Sequence, residues 1–173
     1  MKHGLERLNQ LPLIDAQEAP THCCGASRWV EQLIDQRPFA SVEALREAST
    51  AAFATLAEYD WLEAFEHHPQ IGDLESLKKK FAATARWAGN EQAGANGAGE
   101  ETLRALAAGN AAYAEKFGFI FIVCATGKSA AEMLALLQAR LPHSREEELK
   151  IAAGEQEKIT ALRLDKLLTE SHS

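Results

Sequence analysis

Apolar side chains recur along the chain at the spacing of helix faces. In the segment SVEALREASTAAFATLAEYD, which begins at residue 41, apolar residues fall three or four positions apart, at Leu45, Ala48, Ala52, Leu56 and Tyr59. This spacing places their side chains on one side of an α-helix. The pattern therefore predicts one amphipathic helix across the segment.

Three later helix starts are predicted from capping boxes. In this motif a short polar side chain caps the helix, and an acidic residue three positions later reaches back to it. The pairs are Asp60 with Glu63, Ser129 with Glu132, and Ser144 with Glu147. The helix that starts near Ser144 is predicted to be the longest and to run to about Thr169.

Small residues mark the ends of a further predicted helix. The segment ETLRALAAGNAAYAEKFG closes with Lys116 and Gly118, which is typical of a helix C-terminus with a glycine cap. Before it, residues 88–99 (AGNEQAGANGAG) contain almost no large apolar side chain. This composition predicts a loop or a frayed helix end.

Residues 119–125, FIFIVCA, are the one run with the composition of a buried strand. Periodicity cannot distinguish such a run from extended backbone between helices, and a single strand cannot form a sheet. The chain has no internal repeat and no linker that would divide it. The sequence therefore predicts an all-α fold, a compact single-domain bundle of about eight helices over residues 1–173.

Composition narrows the class of protein. The 173 residues are 46% hydrophobic, which is enough for a core without metal or disulfide support. A net charge of -7 argues against nucleic-acid binding, because phosphate contacts need a basic face. Three cysteines match no disulfide framework, the N-terminal residues are too charged for a signal peptide, and no stretch has the apolar length of a membrane span. We expect a soluble cytoplasmic protein that binds neither nucleic acid nor membrane.

Candidate chemistry lies in FEHHPQIGD, residues 65–73, where two histidines precede a proline. A residue before proline is pushed out of helical geometry, so the helix that starts near Asp60 is predicted to end at His68. Histidine exchanges protons near neutral pH, which makes His68 a candidate catalytic group. The alternative is that one histidine lies at the helix C-terminus and the other is a partly buried polar residue. Neither this pair nor residues 22–24 (HCC) have the spaced ligand pairs of a zinc site.

Two further positions are not explained by a packed core. Glu91 and Gln92 lie in the small-residue stretch, where flexible backbone would allow close approach to a ligand; alternatively, they are solvated loop residues. On the last predicted helix, Arg163 shares a face with Ile159 and Leu167. Its guanidinium either extends to solvent or meets a carboxylate, an acidic substrate or a set of carbonyl acceptors.

A Gly-Lys-Ser sequence at residues 127–129 follows the apolar run and precedes a helix, as in a phosphate-binding P-loop. The complete motif also needs a glycine five residues before Gly127. This chain has Ile122 there, and a β-branched residue cannot supply the backbone freedom of glycine. Nucleotide binding is therefore not predicted.

Five motifs, in order, resemble a family of cofactor-free decarboxylases of purine degradation, which act on 2-oxo-4-hydroxy-4-carboxy-5-ureidoimidazoline (OHCU). They are RPF at 37–39, HPQIG at 68–72, EQAG at 91–94, KFGFIFIVCATGKS at 116–129 and EQEKITALRLDKLL at 155–168. The resemblance extends nearly from end to end of the chain. It implies a compact all-α domain, usually paired as a homodimer, that uses no cofactor.

The resemblance also implies roles for individual residues. The family's catalytic histidine, which precedes proline, corresponds to His68, its catalytic acid to Glu91, and the binding arginine of the last helix to Arg163, while His67 is expected to support the structure. The remaining implied substrate-binding positions are Pro69, Ala88, Gly89, Asn90, Gln92, Ile120, Phe121, Ile122, Val123 and Cys124. Relatives often have a serine at the position of Ala88, so this chain offers only backbone there.

The implied reaction needs no separate electron sink, because the carbon beside the departing carboxylate belongs to an unsaturated C–N system. Loss of carbon dioxide gives an enol-like ring, and protonation on one face gives S-allantoin. We assign acid-base work to His68, hydrogen bonds with ring or ureido N–H groups to Glu91, and the anchoring of carbonyl oxygens to Arg163. The alternative from another class is a non-catalytic helical module that binds a small ureido or anionic ligand.

Overall fold

The chain folds into α-helices. The computed structural model describes residues 1–68, 75, 77, 79 and 96–170, without the side chains of 96–98. Within these ranges lie eight helices: α1 (Lys2–Gln10), α2 (Leu13–Thr21), α3 (Ser27–Asp35), α4 (Val42–Ala54), α5 (Glu58–Glu66), α6 (Asn96–Phe117), α7 (Ala130–Arg140) and α8 (Arg145–Thr169). None of these described residues forms a β-strand, so the predicted all-α class is confirmed.

The described residues pack as two units. The first contains Met1–His68, Ile122–Cys124 and the described residues from Ile151 onward. The second contains the described residues of 69–121 together with Ala125–Lys150. Helix α8 begins in the second unit and continues in the first. The single domain over residues 1–173 stays a prediction.

The first unit buries one apolar core. One face of helix α3 packs into this core through Trp29, Val30, Leu33 and Ile34. The Nε1 atom of Trp29 donates a hydrogen bond to the carbonyl of Ser49, 3.3 Å away, and so ties α3 to α4. At Gly4 a Cβ would lie 2.0 Å from the carbonyl oxygen of Leu168, so α1 crosses α8 at a distance that only glycine permits. These contacts hold the C-terminal part of α8 in the core.

In the second unit, α6 packs on α7. A Cβ at Gly109 would lie 2.5 Å from the Leu137 side chain, which shows how closely the two helices approach. The rings of Tyr113 and Phe117, both buried, have centroids 4.5 Å apart. Helix α6 ends at Gly118, whose φ of 81° is the left-handed geometry of a glycine cap, as predicted.

A buried ion cluster joins α7 to the start of α8 within the second unit. The carboxylate of Glu148 has no exposed surface; it accepts hydrogen bonds from Arg140 Nε at 3.0 Å and Nη2 at 2.8 Å, and from the Tyr113 hydroxyl. His143 Nδ1 lies 3.1 Å from the same carboxylate. Burial raises the pKa of Glu148, but these hydrogen bonds outweigh it, and the pKa is lowered overall. Glu148 is therefore ionised and paired.

The helix predicted across residues 41–60 is divided in two. Helix α4 ends at Ala54, and α5 begins at Glu58. The backbone N–H groups of Thr55 and Leu56 donate to the carbonyls of Ala52 and Phe53, three residues back, at 3.2 and 3.1 Å, and this tighter turn closes α4. Tyr59, which we assigned to the apolar face, is 78% exposed on the second helix. That assignment was wrong because the periodicity continues across the break by chance.

Two of the three predicted caps are confirmed. The hydroxyls of Ser129 and Ser144 accept hydrogen bonds from the backbone N–H three residues later, at 3.1 and 3.2 Å. The third prediction was wrong, since Asp60 is the third residue of α5 and its carboxylate accepts from the backbone N–H of Ala57 at 3.0 Å. Glu63 instead accepts from the first backbone N–H of α3 at 2.8 Å.

For two segments the sequence left the local structure open, and the structure assigns it where their residues are described. Residues 119–125 connect α6 to α7 without forming a strand. Of residues 88–99, the last four belong to the start of α6, and 88–95 lie outside the described residues. The longest described helix is α8, as predicted. Every helix in the described ranges is too short or too polar to cross a membrane.

Candidate active site

His68 lies directly after the end of α5. The backbone N–H groups of His67 and His68 donate to the carbonyls of Ala64 and Phe65 at 3.2 and 3.1 Å, which closes the last turn. The predicted helix end at the histidine pair is therefore confirmed. The His67 ring packs on Gly25, where a Cβ would lie 2.2 Å from the ring. The half-buried His68 side chain thus follows a helix end that backbone hydrogen bonds close.

One buried polar residue of α8, Gln156, contacts His68, and a second, Thr160, contacts Gln156; sequence reasoning missed both. His68 Nε2 lies 2.5 Å from Oε1 of Gln156, and Gln156 Nε2 donates to the Thr160 hydroxyl at 3.1 Å. Gln156 has no exposed surface, and Thr160 is 1% exposed. Their spacing in the sequence could have revealed them, because Gln156, Thr160 and Leu164 are four residues apart and share one face of the helix. An amide on an apolar face needs a hydrogen-bond partner.

The surroundings of His68 favour its neutral form. Burial lowers the pKa of His68 from its ordinary value of 6.5. The hydrogen bond with Gln156 opposes this change, while the positive charges of Arg163 and His67 lower the pKa further. The imidazole is therefore mostly neutral at pH 7 and is ready to accept a proton.

Arg163 lies on α8 about two turns beyond Gln156. Its side chain is exposed, and Nη1 donates a long hydrogen bond of 3.5 Å to the carbonyl of His22. The guanidinium thus reaches solvent and also meets a carbonyl acceptor, two of the outcomes left open by the sequence. Its positive charge lowers the pKa of His68, and both of these predicted site residues belong to the first unit.

The neighbouring cysteine pair is buried and inert. Burial raises the pKa of the Cys23 thiol to about 12, although the charge of Arg163 opposes the change. Cys24 is 1% exposed, and its thiol pKa is raised for the same reason. Because the thiolate is the reactive form, neither residue is a nucleophile at neutral pH.

The segment Ile122–Cys124 is tied to α8 beside the His68 contact. The backbone N–H of Cys124 donates to Oε1 of Glu155 at 3.1 Å, and the other oxygen of Glu155 accepts from Lys158 at 2.6 Å. Glu155 directly precedes Gln156, so adjacent residues of one helix hold His68 and this backbone segment. Ile122 is buried and Val123 is half-buried.

The other predicted site residues divide into two sets. Ile120 and Phe121 belong to the second unit, where the Phe121 ring centroid lies 4.6 Å from the Arg140 guanidinium. Those that lie outside the described residues are Pro69, Ala88, Gly89, Asn90, Glu91 and Gln92. Among the side chains that are described, no group of three or more His, Cys, Asp or Glu is placed to hold a metal ion.

Comparison with known proteins agrees with the motifs. Residues 9–165 match the family model of OHCU decarboxylase. The chain is 40% identical over 148 residues to the uric acid degradation bifunctional protein TTL of Arabidopsis thaliana, with 86% of this chain and 46% of that protein covered. It is 28% identical over 164 residues to the 2-oxo-4-hydroxy-4-carboxy-5-ureidoimidazoline decarboxylase of Halalkalicoccus jeotgali, with 94% of this chain and 90% of that protein covered.

A solved structure shows the same fold and a related sequence. The crystal structure of an OHCU decarboxylase in the presence of (S)-allantoin aligns with a TM-score of 0.66 at 39% identity, over 87% of this chain and 96% of that chain. This chain therefore spans less than half of the bifunctional Arabidopsis protein but nearly all of the separate decarboxylases. Since the family model covers most of its length, the protein belongs to the OHCU decarboxylase family.

Proposed function

We propose that this protein decarboxylates OHCU to (S)-allantoin in urate degradation, without a cofactor. The observation that carries the proposal is the imidazole of His68, which is half-buried, neutral and placed just after a helix end. The positive charge of Arg163 lowers its pKa, and the chain matches the OHCU decarboxylase family. The crystal structure of the 39% identical relative, determined in the presence of (S)-allantoin, supports the choice of product.

The substrate itself accepts the electrons of the reaction. OHCU carries a carboxylate and a hydroxyl on one ring carbon, and the adjacent ring carbon belongs to a C=N bond. When the bond to the carboxylate breaks, its electron pair forms a C=C bond, and the C=N pair moves to nitrogen, which takes up a proton. The resulting enol loses its O–H proton and gains a proton on the adjacent carbon, which gives allantoin. The protein must therefore orient the substrate and move protons.

His68 is the group that moves these protons. Its neutral imidazole accepts the O–H proton of the enol, and its lowered pKa favours return of a proton to the adjacent ring carbon. Because the imidazole is held at one position, the proton arrives on one face of the planar enol. This accounts for formation of a single stereoisomer.

Arg163 anchors the substrate in this proposal. Its guanidinium offers five N–H donors for carbonyl oxygens and stabilises negative charge that develops in the transition state. Glu91 binds the N–H groups of the ring or ureido chain, and the backbone of residues 120–124 contributes further contacts. Pro69, Gln92 and residues 88–90 complete the proposed binding set, which rests on the family resemblance.

The variant Arg163→Met tests the anchoring role. It keeps much of the apolar stem of the side chain but removes the charge and its donors, so we expect kcat/KM for OHCU to fall by roughly 10-fold to 100-fold, as for a lost charged hydrogen bond of about 1.5–3 kcal/mol. Steady-state kinetics at several OHCU concentrations would measure the change. An unchanged kcat/KM would show that the side chain only extends to solvent.

The activity is tested by circular dichroism on freshly generated OHCU, made from urate with urate oxidase and hydroxyisourate hydrolase. We expect the protein to accelerate the growth of the (S)-allantoin signal, whereas spontaneous decay gives a racemic product without optical activity. An optically inactive product would contradict stereochemical control. Absence of any acceleration would overturn the proposed activity and favour the non-catalytic binding module.

The proposal extends to assembly and location. We infer that the protein forms a homodimer and lies in the cytoplasm. The resembled family, whose domains are usually paired, supports the dimer. Three free cysteines support the cytoplasm, because they suit a reducing compartment. Sedimentation of the purified protein would measure the mass of the assembly against the 18.9 kDa of one chain.

A further inference from the structure

A buried polar pair on α8 lies behind His68. Gln156 has no exposed surface and Thr160 is 1% exposed, while Ala152 and Leu164 on the same face of the helix are buried apolar residues. A buried amide is costly unless its hydrogen-bonding groups are satisfied. The partners of Gln156 are the Thr160 hydroxyl and the imidazole of His68.

The Thr160 hydroxyl determines which way the Gln156 amide points. This hydroxyl has one hydrogen, and it lies 2.8 Å from the carbonyl oxygen of residue 156 and 3.4 Å from that of Cys23. Both carbonyls can only accept, and the Cys24 thiol is a further neighbour of this hydroxyl. With the hydroxyl hydrogen directed to one of these groups, a lone pair remains for the amide, and the nitrogen of Gln156 faces Thr160 while its oxygen faces His68.

The same reasoning determines the tautomer of His68. An amide oxygen cannot donate, so the His68 Nε2 atom beside it carries the hydrogen of the 2.5 Å contact. In a neutral imidazole the other nitrogen, Nδ1, then has the lone pair. We propose that Gln156, oriented by Thr160, is a positioning residue that holds His68 as the Nε2–H tautomer and presents Nδ1 as the nitrogen that exchanges protons with the substrate.

The role assigned to Nδ1 rests on the proposed function, whereas the tautomer does not. Two further groups act on the titration of His68: Arg163 from α8 and His67 from its own segment, and both disfavour a positive imidazolium. A glutamate at position 156 would still accept the Nε2 hydrogen, but its negative charge would favour the imidazolium. A leucine there would remove the acceptor of the Nε2 hydrogen.

Nitrogen NMR of the imidazole tests the tautomer without any measurement of activity. In uniformly ¹⁵N-labelled protein at pH 8, with the His68 signals identified by their loss in His68→Asn, we expect a protonated Nε2 and an unprotonated Nδ1. Gln156→Leu should mix or reverse the tautomers, and Thr160→Val should weaken the preference. The matched control Gln138→Leu, at an exposed position of α7, should leave the signals unchanged. A wild-type His68 protonated on Nδ1, or a Gln156→Leu spectrum like that of wild type, would overturn the proposal.

Kinetics on OHCU then test the assignment of Nδ1. We expect Gln156→Leu to lower kcat by about 10-fold to 100-fold with little change in KM, as when a group that orients a functional histidine is lost. Gln156→Glu should keep most of kcat above pH 8 but move the acidic limb of the pH profile to higher pH, because a more basic imidazole needs a higher pH to be neutral. An active wild type with an unaltered rate and pH profile in Gln156→Leu would refute the positioning role. An inactive wild type with the expected tautomer would refute the proposed function and leave the tautomer assignment intact.

Discussion

The variant His68→Ala is expected to lower kcat for OHCU by about 10²–10⁴-fold, the usual loss when a positioned acid-base group is removed. Alanine cannot accept the hydroxyl proton, and it cannot return one to the ring carbon. The fold should survive, because the side chain is only half-buried and α5 is closed by backbone hydrogen bonds that alanine retains. The loss should appear in the growth of the (S)-allantoin dichroism signal.

A matched control separates this effect from the loss of any histidine. His3→Ala removes a side chain that is 96% exposed on α1, and we expect wild-type kinetics from it. Because His68→Ala leaves the buried Gln156 oxygen without its partner, a cost of about 1–3 kcal/mol in unfolding free energy is expected, and thermal unfolding should be measured beside the rate. A His68→Ala protein that turns over OHCU at nearly the wild-type rate would disprove the catalytic role.

The variant Glu148→Gln should cause the largest loss of stability, about 3–5 kcal/mol in the free energy of unfolding. The guanidinium of Arg140, whose side chain is 7% exposed, would lose its charged hydrogen bonds with the Glu148 carboxylate. Tyr113 and His143 would also lose their contacts with a charged acceptor. Urea unfolding followed by far-ultraviolet circular dichroism would measure the shift in midpoint.

The chain offers a matched exposed pair as control. Asp165→Asn makes the same change from acid to amide in the pair with Arg46, whose N···O distance is 3.0 Å and whose side chains are 45% and 36% exposed. Solvent screens this pair, so we expect a loss of about 0–1 kcal/mol. Adding Arg140→Met to Glu148→Gln should recover part of the stability, because the buried charge that lost the Glu148 carboxylate is then removed. Equal midpoints for Glu148→Gln and Asp165→Asn would show that burial does not strengthen the ion pair.

The two predictions address different parts of the molecule. His68 belongs to the first contact unit and Glu148 to the second. A large loss of rate with a loss of only about 1–3 kcal/mol in stability at His68, and a larger loss of stability at Glu148, would separate the chemistry from the support of the fold.

Local chemistry was readable from the sequence itself. The glycine cap at Gly118, the serine caps at Ser129 and Ser144, and the helix end at His68 each depend on groups within about one turn of the chain. The motifs that resemble the family also selected His68 and Arg163, both of which belong to the first unit. The division between α4 and α5 was missed because apolar spacing alone does not show where the backbone hydrogen bonds change their pattern.

Only the tertiary structure decided which residues far apart in the chain contact each other. Gln156 is 88 residues from His68, and Glu148 is 35 residues from Tyr113. A sequence pattern reports which face of a helix a residue occupies, but the side chain opposite depends on how that helix packs. The sequence by itself therefore determined the helical class, several helix ends and the candidate histidine. Packing of α8 determined the amide that orients the histidine, because a hydrogen bond requires two groups to meet in space.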